Sequence, residues 1–555
     1  MTRSPSPIDI LANNHFDSVV DISPIWMTEL GINERQDEYD DMSPDGLSAV
    51  DAINRATLAT LDSLTPVDDV DVVTADALRE RVGLEVEAHA KHADMMDIAG
   101  IASGLHNIRD VYDLMPTDTP EQWATIARRL QAIPGAIDGW FESQLAGIEA
   151  GIHPASRQVD LLAEQCEGYA GVGGFFDSMM ADAAAVPGVD ADGLQAGVAT
   201  ARQAFHDAAE RLASQIKPLA VQADAVGPER YELRSRYFLG LKVDFDEYYQ
   251  WGQDEVARLE QASAEIAAKL RPGMPVAEAK QSLDHDPAYQ LDGCDAMRDW
   301  MQGKADAAIK SLNGVHFDIP EPAQRIECMI AGTHDGGVWY TAPSDDFSRP
   351  GRMWWSVPES QTTFSTWREL TTVYHEGVPG HHLQIAQAVY ARELLNKWRR
   401  SGVWCSGHGE GWALYAEQLM ADLGYLDDPA MMLGMLDGQS MRAVRVVIDM
   451  GVHCGFEAPG EVGGGEWTFD KAWTYFNSHT SQEEGQARFE VLRYFGWPGQ
   501  APSYKIGQRV WQQIRDECAR RDGAAFDLKA FHAKALNLGS LGLATLQTAM
   551  LGLGL

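Results

Sequence analysis

The sequence predicts a mainly α protein with one small β-sheet beside a metal-binding helix. Three observations carry that prediction. Long stretches repeat apolar residues at the helical period of about 3.6. Proline, aromatic and β-branched residues gather in a single region, residues 315–357. Soon after it stands His375-Glu376-Gly377-Val378-Pro379-Gly380-His381-His382, which holds the residue types of a hydrolytic metal site.

Taken in order, residues 1–16 read as a loose leader, with no apolar stretch that would make a signal peptide. Helical periodicity covers residues 48–62, 74–94, 120–150 and 192–217 within an N-terminal helical region, 17–230. The catalytic region, 231–555, starts at a weakly marked boundary, so the two regions also fit one continuous two-lobed domain. Residues 244–270, rich in Glu, Ala and Gln, form a long helix that stops at Arg271-Pro272-Gly273. Further helices fill 274–312, and the sheet region 315–357 leads into the metal-binding helix. Thr366-Trp367-Arg368-Glu369 has capping-box spacing, which starts that helix. Residues 409–419 and 433–453 complete the set of helices that matter for chemistry.

In His-Glu-x-x-His the two histidines are four apart and share a helix face. Here His381 follows His375 by six residues, about 120° around a regular helix, which cannot serve one ion. Pro379 lacks the N–H that would bond the carbonyl of His375, and Gly380 tolerates almost any backbone conformation. A bulge that absorbs two residues would therefore bring His381 to the position of the fourth residue. His382 returns to the original face but lies about 10.5 Å along a regular helix. It is the alternative ligand if the bulge is built otherwise, or a supporting residue behind the ligands. A histidine cluster that only hydrogen-bonds at a helix break is the plainer reading of the same residues.

A third ligand comes from Gly409-Glu410-Gly411-Trp412-Ala413-Leu414-Tyr415-Ala416-Glu417, a helix whose two glutamates are seven apart among large apolar residues. A carboxylate on such a face is costly unless it is paired or bound to a metal. Glu410 is the third ligand, and Glu417 supports the ligands or sits in solvent. His375, His381 and Glu410 then leave one position open for water, which Glu376 activates as the general base. Imidazole and carboxylate donors suit zinc, one Zn2+ per chain, with cobalt or manganese as substitutes in vitro.

Arg442, Arg445, Asp449 and His453, at steps of three, four and four, form one charged stripe on a helix otherwise made of Met, Val, Ile and Ala. If that helix is buried the stripe is a paired network, and an active-site wall is a natural place for it; a surface stripe of ordinary ion pairs is the alternative. His453 and Asp449 are candidates to orient ligands or stabilise an oxyanion, with Arg442 and Arg445 as substrate-binding candidates. Arg349 could clamp a carboxylate beside the strand-like run Met353-Trp354-Trp355-Ser356-Val357, or cap a hairpin. Tyr340 and Gln500 are further substrate-binding candidates. Tyr504 and Lys505, after the Pro498-Gly499-Gln500 turn, could donate hydrogen bonds to a tetrahedral intermediate, although a tyrosine at a helix start also serves packing.

These residues carry a resemblance. Tyr374 through Gln384, Glu410 through Glu417, Ser348-Arg349-Pro350-Gly351, the Arg442 to His453 stripe with Gly451, and Pro498-Gly499-Gln500 with Tyr504-Lys505-Ile506-Gly507 stand in the order of the bacterial domain-of-unknown-function 885 family (DUF885), grouped with the gluzincin-like metallopeptidases. The likeness is specific over 340–546 and weaker back to 230. Gly542 departs from the pattern, where the family has proline. The resemblance implies a large helical, clamshell-like zinc hydrolase with a deep cleft, and peptide hydrolysis through its clan.

Composition narrows the partners. Lys and Arg total 44 against 82 Asp and Glu, a net charge of −38. So acidic a chain repels phosphates, which excludes nucleic acid and anionic membrane surfaces as partners. The Leu- and Gly-rich tail, 538–555, is too short and interrupted to span a membrane. Six scattered cysteines without a Cys-x-x-Cys pair fit reduced thiols, offer no thiolate metal site and point to the cytoplasm.

Three functions fit. A zinc-dependent metallopeptidase cleaving short peptides comes first. A zinc amidase acting on a non-peptide amide would use the same ligands. A catalytically inactive metal-binding protein is the third, and the presence of Glu376 beside the candidate ligands speaks against it.

Overall fold

Ile8, Ala12 and Phe16, spaced four apart, present one apolar face, and Ser6 with Asp9 forms a capping box in front of them. These residues make a helix, α1 (Pro7–Asp21), where a loose leader was expected. Asp9 is buried and accepts a hydrogen bond from Asn396 Nδ2 at 3.0 Å, which ties α1 to the C-terminal half of the chain. The Asn and Asp content of the segment hid a face only four residues wide in its repeat. The structure is a computed structural model that describes residues 3–331, 337–358 and 360–552.

The expected N-terminal helices appear as α2 (Pro44–Leu61), α3 (Asp69–Ala90), α4 (Pro120–Glu149) and α6 (Ala191–Arg211), and a further helix that was not expected, α5 (Ser156–Ala170), stands between the last two. The hydrophobic cores do not divide at residue 230. Leu61 of α2 and Leu78 of α3 join Phe16, Trp412, Val447 and Trp511 in one large core. The second core draws on Ile25 and on residues between 96 and 216, among them Trp123 and Phe141 of α4, Leu162 of α5 and Phe205 of α6.

Beyond the N-terminal helices α7 (Pro228–Leu239) precedes α8 (Phe245–Leu270), the long helix that Arg271 terminates. Between residues 274 and 312 the chain is not wholly helical: β1 (Gln290–Asp292) comes before α9 (Cys294–Leu312). Then β2 (Ile326–Ile330), β3 (Val338–Thr341) and β4 (Gly351–Trp355) form a sheet in the order β2-β4-β3. The β2–β4 pairing is parallel, with Cys328 opposite Met353, and β3–β4 is antiparallel, with Tyr340 opposite Met353. Residues 332–336 of the expected sheet region lie outside the described residues. β5 (Thr363–Ser365) pairs antiparallel with β1 and runs directly into α10 (Thr366–Glu376).

The expected capping box at Thr366 does not form. Ser365 is the N-cap residue, and Thr366 Oγ1 instead donates to the carbonyl of Tyr289 at 3.1 Å, which anchors the helix start to the chain before β1. After α10 come α11 (His381–Tyr390), α12 (Ser406–Asp422), α13 (Pro429–Cys454), α14 (Glu484–Gly496) and α15 (Ser503–Asp522). The central helix is α13, which packs against α8, α10, α14 and α15. The tail forms α16 (Leu543–Leu551), and Leu543, Leu546 and Met550 enter the large core. Residues 553–555 of that tail lie outside the described residues. Gly542 stands in front of α16, where an added Cβ would meet the Glu80 carboxylate at 2.3 Å, so a side chain there would need Glu80 to move. Among the described residues no helix is long and apolar enough to cross a membrane. None of the six cysteines forms a disulfide.

Candidate metal centre

Two helix ends and one helix face build the site. The metal-binding segment does not bulge as expected. α10 ends at Glu376, four residues turn, and a separate helix begins at His381. Pro379 cannot donate to the carbonyl of His375, so the ladder stops there. Gly380 follows, and a Cβ on it would stand 1.9 Å from that same carbonyl, while one on Gly377 would meet Val373 O at 2.5 Å. The turn is closed by Gly380 N–H to Tyr374 O at 3.0 Å and His382 N–H to Gly377 O at 3.2 Å, and its Val378–Pro379 bond is cis. Trp412 Nε1 on α12 donates to the carbonyl of Pro379 at 2.9 Å, which clamps the turn onto the helix that carries Glu410.

As a result His375 Nε2 and His381 Nε2 approach one oxygen, Glu410 Oε2, at 3.2 and 3.3 Å. The imidazoles are perpendicular, with centroids 4.9 Å apart. His375, Glu376 and His381 are buried, and each offers a ligand atom within 4.8 Å of the others. Two atoms each about 2.0 to 2.1 Å from one ion at the tetrahedral angle lie about 3.3 Å apart, so the donor spacing fits a zinc-sized cation. The far side of His375 is fixed as well. Its Nδ1 faces Glu417 Oε1 at 2.7 Å, and Thr371 Oγ1 donates to Glu417 Oε2 at 2.7 Å. Such a carboxylate behind a ligand imidazole sets its tautomer and its orientation.

Electrostatics agree with a cation-binding cluster. Burial works to lower the pKa of His375, but its hydrogen bonds to the Glu410 and Glu417 carboxylates outweigh it and push the value up to about 10. Burial likewise opposes ionisation of Glu410, and the two histidines overcome it and hold the carboxyl well below its usual range. Carboxylates that keep a proton on an imidazole would stabilise a metal dication in its place. Glu376 is raised by burial first, then partly restored by His381 and His375, and its Oε2 has no partner among the described residues. A buried carboxylate oxygen without a partner is a cost that a reacting water would remove.

The other predicted residues divide. His382 is turned away from the cluster: Nδ1 meets Tyr340 Oη at 2.9 Å and Nε2 donates to the carbonyl of Ala323 at 2.9 Å. With both nitrogens engaged it is no alternative ligand. Tyr340 reaches it past Gly351, where a Cβ would stand 2.0 Å from the phenol, so this pair ties the sheet to α11 and does not face substrate. Arg349 is committed to its own loop, through Nη2 to Ala342 O at 2.7 Å and Nη1 to Pro350 O at 3.4 Å. His453 donates from Nε2 to Tyr494 O at 2.8 Å and stacks on Tyr231; Asp449 accepts from Tyr231 Oη at 2.6 Å and from Gly499 N at 2.9 Å. Neither touches the cluster, because the lower half of the stripe points at α7 and the Pro498 turn. Lys505 is buried between Gln439, Gln508 and Glu255, at 2.5, 2.8 and 3.0 Å, and so holds α15 to α13 and α8.

Tyr504 and Arg442 lie within electrostatic reach of the cluster, and Arg445 and Gln500 are linked to them through the Tyr504 ring and Arg493. Burial raises the Tyr504 phenol, and the Glu410 charge adds to that effect. Arg445 lies over the Tyr504 ring at 4.7 Å, and Gln500 accepts from Arg493. The Arg442 charge acts on both Glu376 and Glu417. Sequence reasoning missed Arg493, Glu490 and Trp404. The indole of Trp404 is 51% exposed, lies 6.1 Å from the His381 ring and rests on Gly409, whose missing side chain makes room for it. The glycine next to Glu410 is the sequence signal that could have revealed it.

A family model described as a bacterial protein of unknown function (DUF885) matches residues 24–550. No curated protein matches the chain. Among solved structures, a protein described as a "putative lipoprotein" from Colwellia psychrerythraea is 22% identical, with 99% of both chains covered and a TM-score of 0.82. A second, described as a "putative lipoprotein of unknown function" from Shewanella oneidensis, is 18% identical, with 98% of this chain and 100% of that one covered and a TM-score of 0.74. Both share the fold.

Proposed function

This chain belongs to the DUF885 family of bacterial proteins, and from that premise and the geometry of its buried cluster we propose that it is a metal-dependent hydrolase, a zinc metallopeptidase of gluzincin-like type that cleaves short peptides. The observation that carries the reading is the approach of two imidazole nitrogens to one Glu410 oxygen, with Glu376 alongside. His375, His381 and Glu410 would hold one ion. That ion would polarise the scissile carbonyl and acidify a water beside it. The remaining work falls to the chain's own side chains.

Glu376, poised by burial and held among His375, His381 and Glu410, accepts a proton from the attacking water and returns it to the departing amine. Glu417 keeps His375 in the tautomer that bares Nε2. Tyr504, protonated because burial disfavours its phenolate, donates a hydrogen bond to the carbonyl oxygen as negative charge develops there. Trp404 offers an open indole face to an apolar substrate side chain.

The same groups would serve a non-peptide amide, so the test must include both. Glu376→Gln keeps the shape of the site and removes the base. One zinc per chain in both proteins by elemental analysis, with cleavage of a short-peptide library lost only in the variant, is the expected result. Zinc without peptide cleavage in the wild type moves the reading to other amides, and absence of metal overturns it. Six cysteines without a disulfide fit a reducing cytoplasm. The two lipoprotein relatives argue for a cell envelope instead, and fractionation of native cells separates the two. A net charge of −38 argues against nucleic acid and anionic surfaces as partners.

A further inference from the structure

Three guanidinium groups gather beside the cluster from two helices: Arg442 and Arg445 on α13 and Arg493 on α14. One carboxylate answers them. Glu490 accepts from Arg445 Nε and Nη2, both at 3.1 Å, and from Arg493 Nη1 at 3.1 Å. The Tyr504 ring lies within 4.7 Å of the Arg445 guanidinium and 5.9 Å of Arg493. Glu490 is the one carboxylate hydrogen-bonded within this group, and the Glu376 and Glu417 charges act on Arg442 from the side of the cluster.

The group is not closed. Arg445 Nη1, Arg493 Nε and Arg442 Nε are buried and have no hydrogen-bond partner among the described residues. A buried cationic N–H without an acceptor is costly, and a purely structural network would supply one. Arg442 is the least engaged of the three: like Arg493 it is partly exposed, but its one hydrogen bond among the described residues runs from Nη1 to Gly438 O at 3.2 Å. The Arg442 charge also reaches Glu376, so this opening adjoins the groups assigned to hydrolysis.

Resting on the hydrolase reading above, we propose that Arg442, backed by Arg445 and Arg493, binds a carboxylate of the substrate. The site therefore takes acidic substrates, either a peptide through its free C-terminus or one through an Asp or Glu side chain beside the scissile bond. A guanidinium offers two parallel N–H donors to a carboxylate, and the cations behind it prevent Glu490 from neutralising the pocket. This gives Arg442 the carboxylate-binding role that the sequence had offered to Arg349 beside the strand-like run 353–357.

Three probes separate the sources: acetyl-Ala-Phe as the free acid, the same compound as its amide, and acetyl-Ala-Glu amide. With zinc-loaded protein, kcat/KM is expected to favour a carboxylate-bearing probe over the plain amide by about 10-fold or more. Preference for the free acid assigns the terminal carboxylate, and preference for the Glu amide assigns the side chain. Arg442→Gln should bring the ratio to about one through KM, and Arg442→Lys should retain part of it. Equal turnover of all three by wild type, or an unchanged ratio in Arg442→Gln, overturns the proposal. If Arg442→Gln does not fold, as judged by its thermal melt, the fall of the ratio in Arg442→Lys carries the test, and no fall overturns it. If none of the three probes is cleaved, calorimetric titration of zinc-loaded Glu376→Gln with the same probes still decides this proposal separately from the hydrolase reading. Tighter binding of a carboxylate-bearing probe, lost with Arg442, supports the site, and equal or absent binding overturns it.

Discussion

Glu417 is almost without solvent contact, and it is ionised because Thr371 Oγ1 and His375 Nδ1 both donate to it. Burial opposes that charge, and the bond to His375 overcomes it, which lowers the carboxyl below its usual range. The residue therefore works through His375. Glu417→Gln keeps an acceptor oxygen but gives up the negative charge, so zinc affinity should fall by about 10- to 100-fold with the fold intact. Competition against a chelator measures this, and an affinity equal to wild type would show that Glu417 only fills space. Trp404 belongs to the same scale. Trp404→Ala removes an exposed ring from beside His381, and the expected loss is in KM for substrates with an apolar side chain, with kcat nearly kept. A fall in kcat alone would mean that the indole positions His381 instead.

At the scale of elements, the site depends on how closely α12 and α15 cross. Gly407 and Gly411 on α12 face Gly507 on α15, where a Cβ on Gly507 would lie 2.1 Å from the carbonyl of Gly407 and one on Gly411 would lie 2.4 Å from Gly507. Both obstacles are backbone, which cannot step aside. This approach brings Tyr504, one turn before Gly507, within electrostatic reach of Glu410, which adjoins Gly411. Gly507→Ala should therefore cost about 1–3 kcal/mol or more and displace Tyr504. A thermal melt shows the first effect, and an unchanged melting temperature would mean that the helices slide apart freely. That a regular helix could not run past Glu376 was legible from Pro379 and Gly380, but the expected bulge is a full break with a new helix at His381; Glu410 with Glu417 was legible through the seven-residue step. Which backbone carbonyl would claim Arg349, or that Tyr340 would reach His382 past Gly351, was not. Those choices depend on partners far along the chain. The helix at residues 7–21 was missed for a local reason, since Ile8, Ala12 and Phe16 stand among Asn and Asp that favour turns.

For the whole molecule, Asp449 is a joint. It sits on the central helix α13 and accepts from Tyr231 of α7 and from Gly499, in the turn that leads to α15. Its other oxygen, Oδ2, is buried and has no partner among the described residues. Burial accordingly raises this carboxyl from 3.8 to about 7, with the Tyr231 and Gly499 bonds and the Arg493 charge offsetting only part of the effect. A folded-state pKa above the unfolded one means that the native protein binds the extra proton. The contribution to stability is then complete below the unfolded value near 3.8 and is lost as pH rises through about 7. Asp449→Asn cannot ionise, yet it keeps an acceptor for Tyr231 and Gly499. Wild type should therefore lose more melting temperature between about pH 6 and about pH 8 than the variant does, with the metal-site groups common to both proteins cancelling in the difference. Two melts of each protein suffice. Parallel losses would mean that Asp449 is already ionised in the fold, and the joint between α7, α13 and the turn before α15 would then be held by a charge instead of a proton.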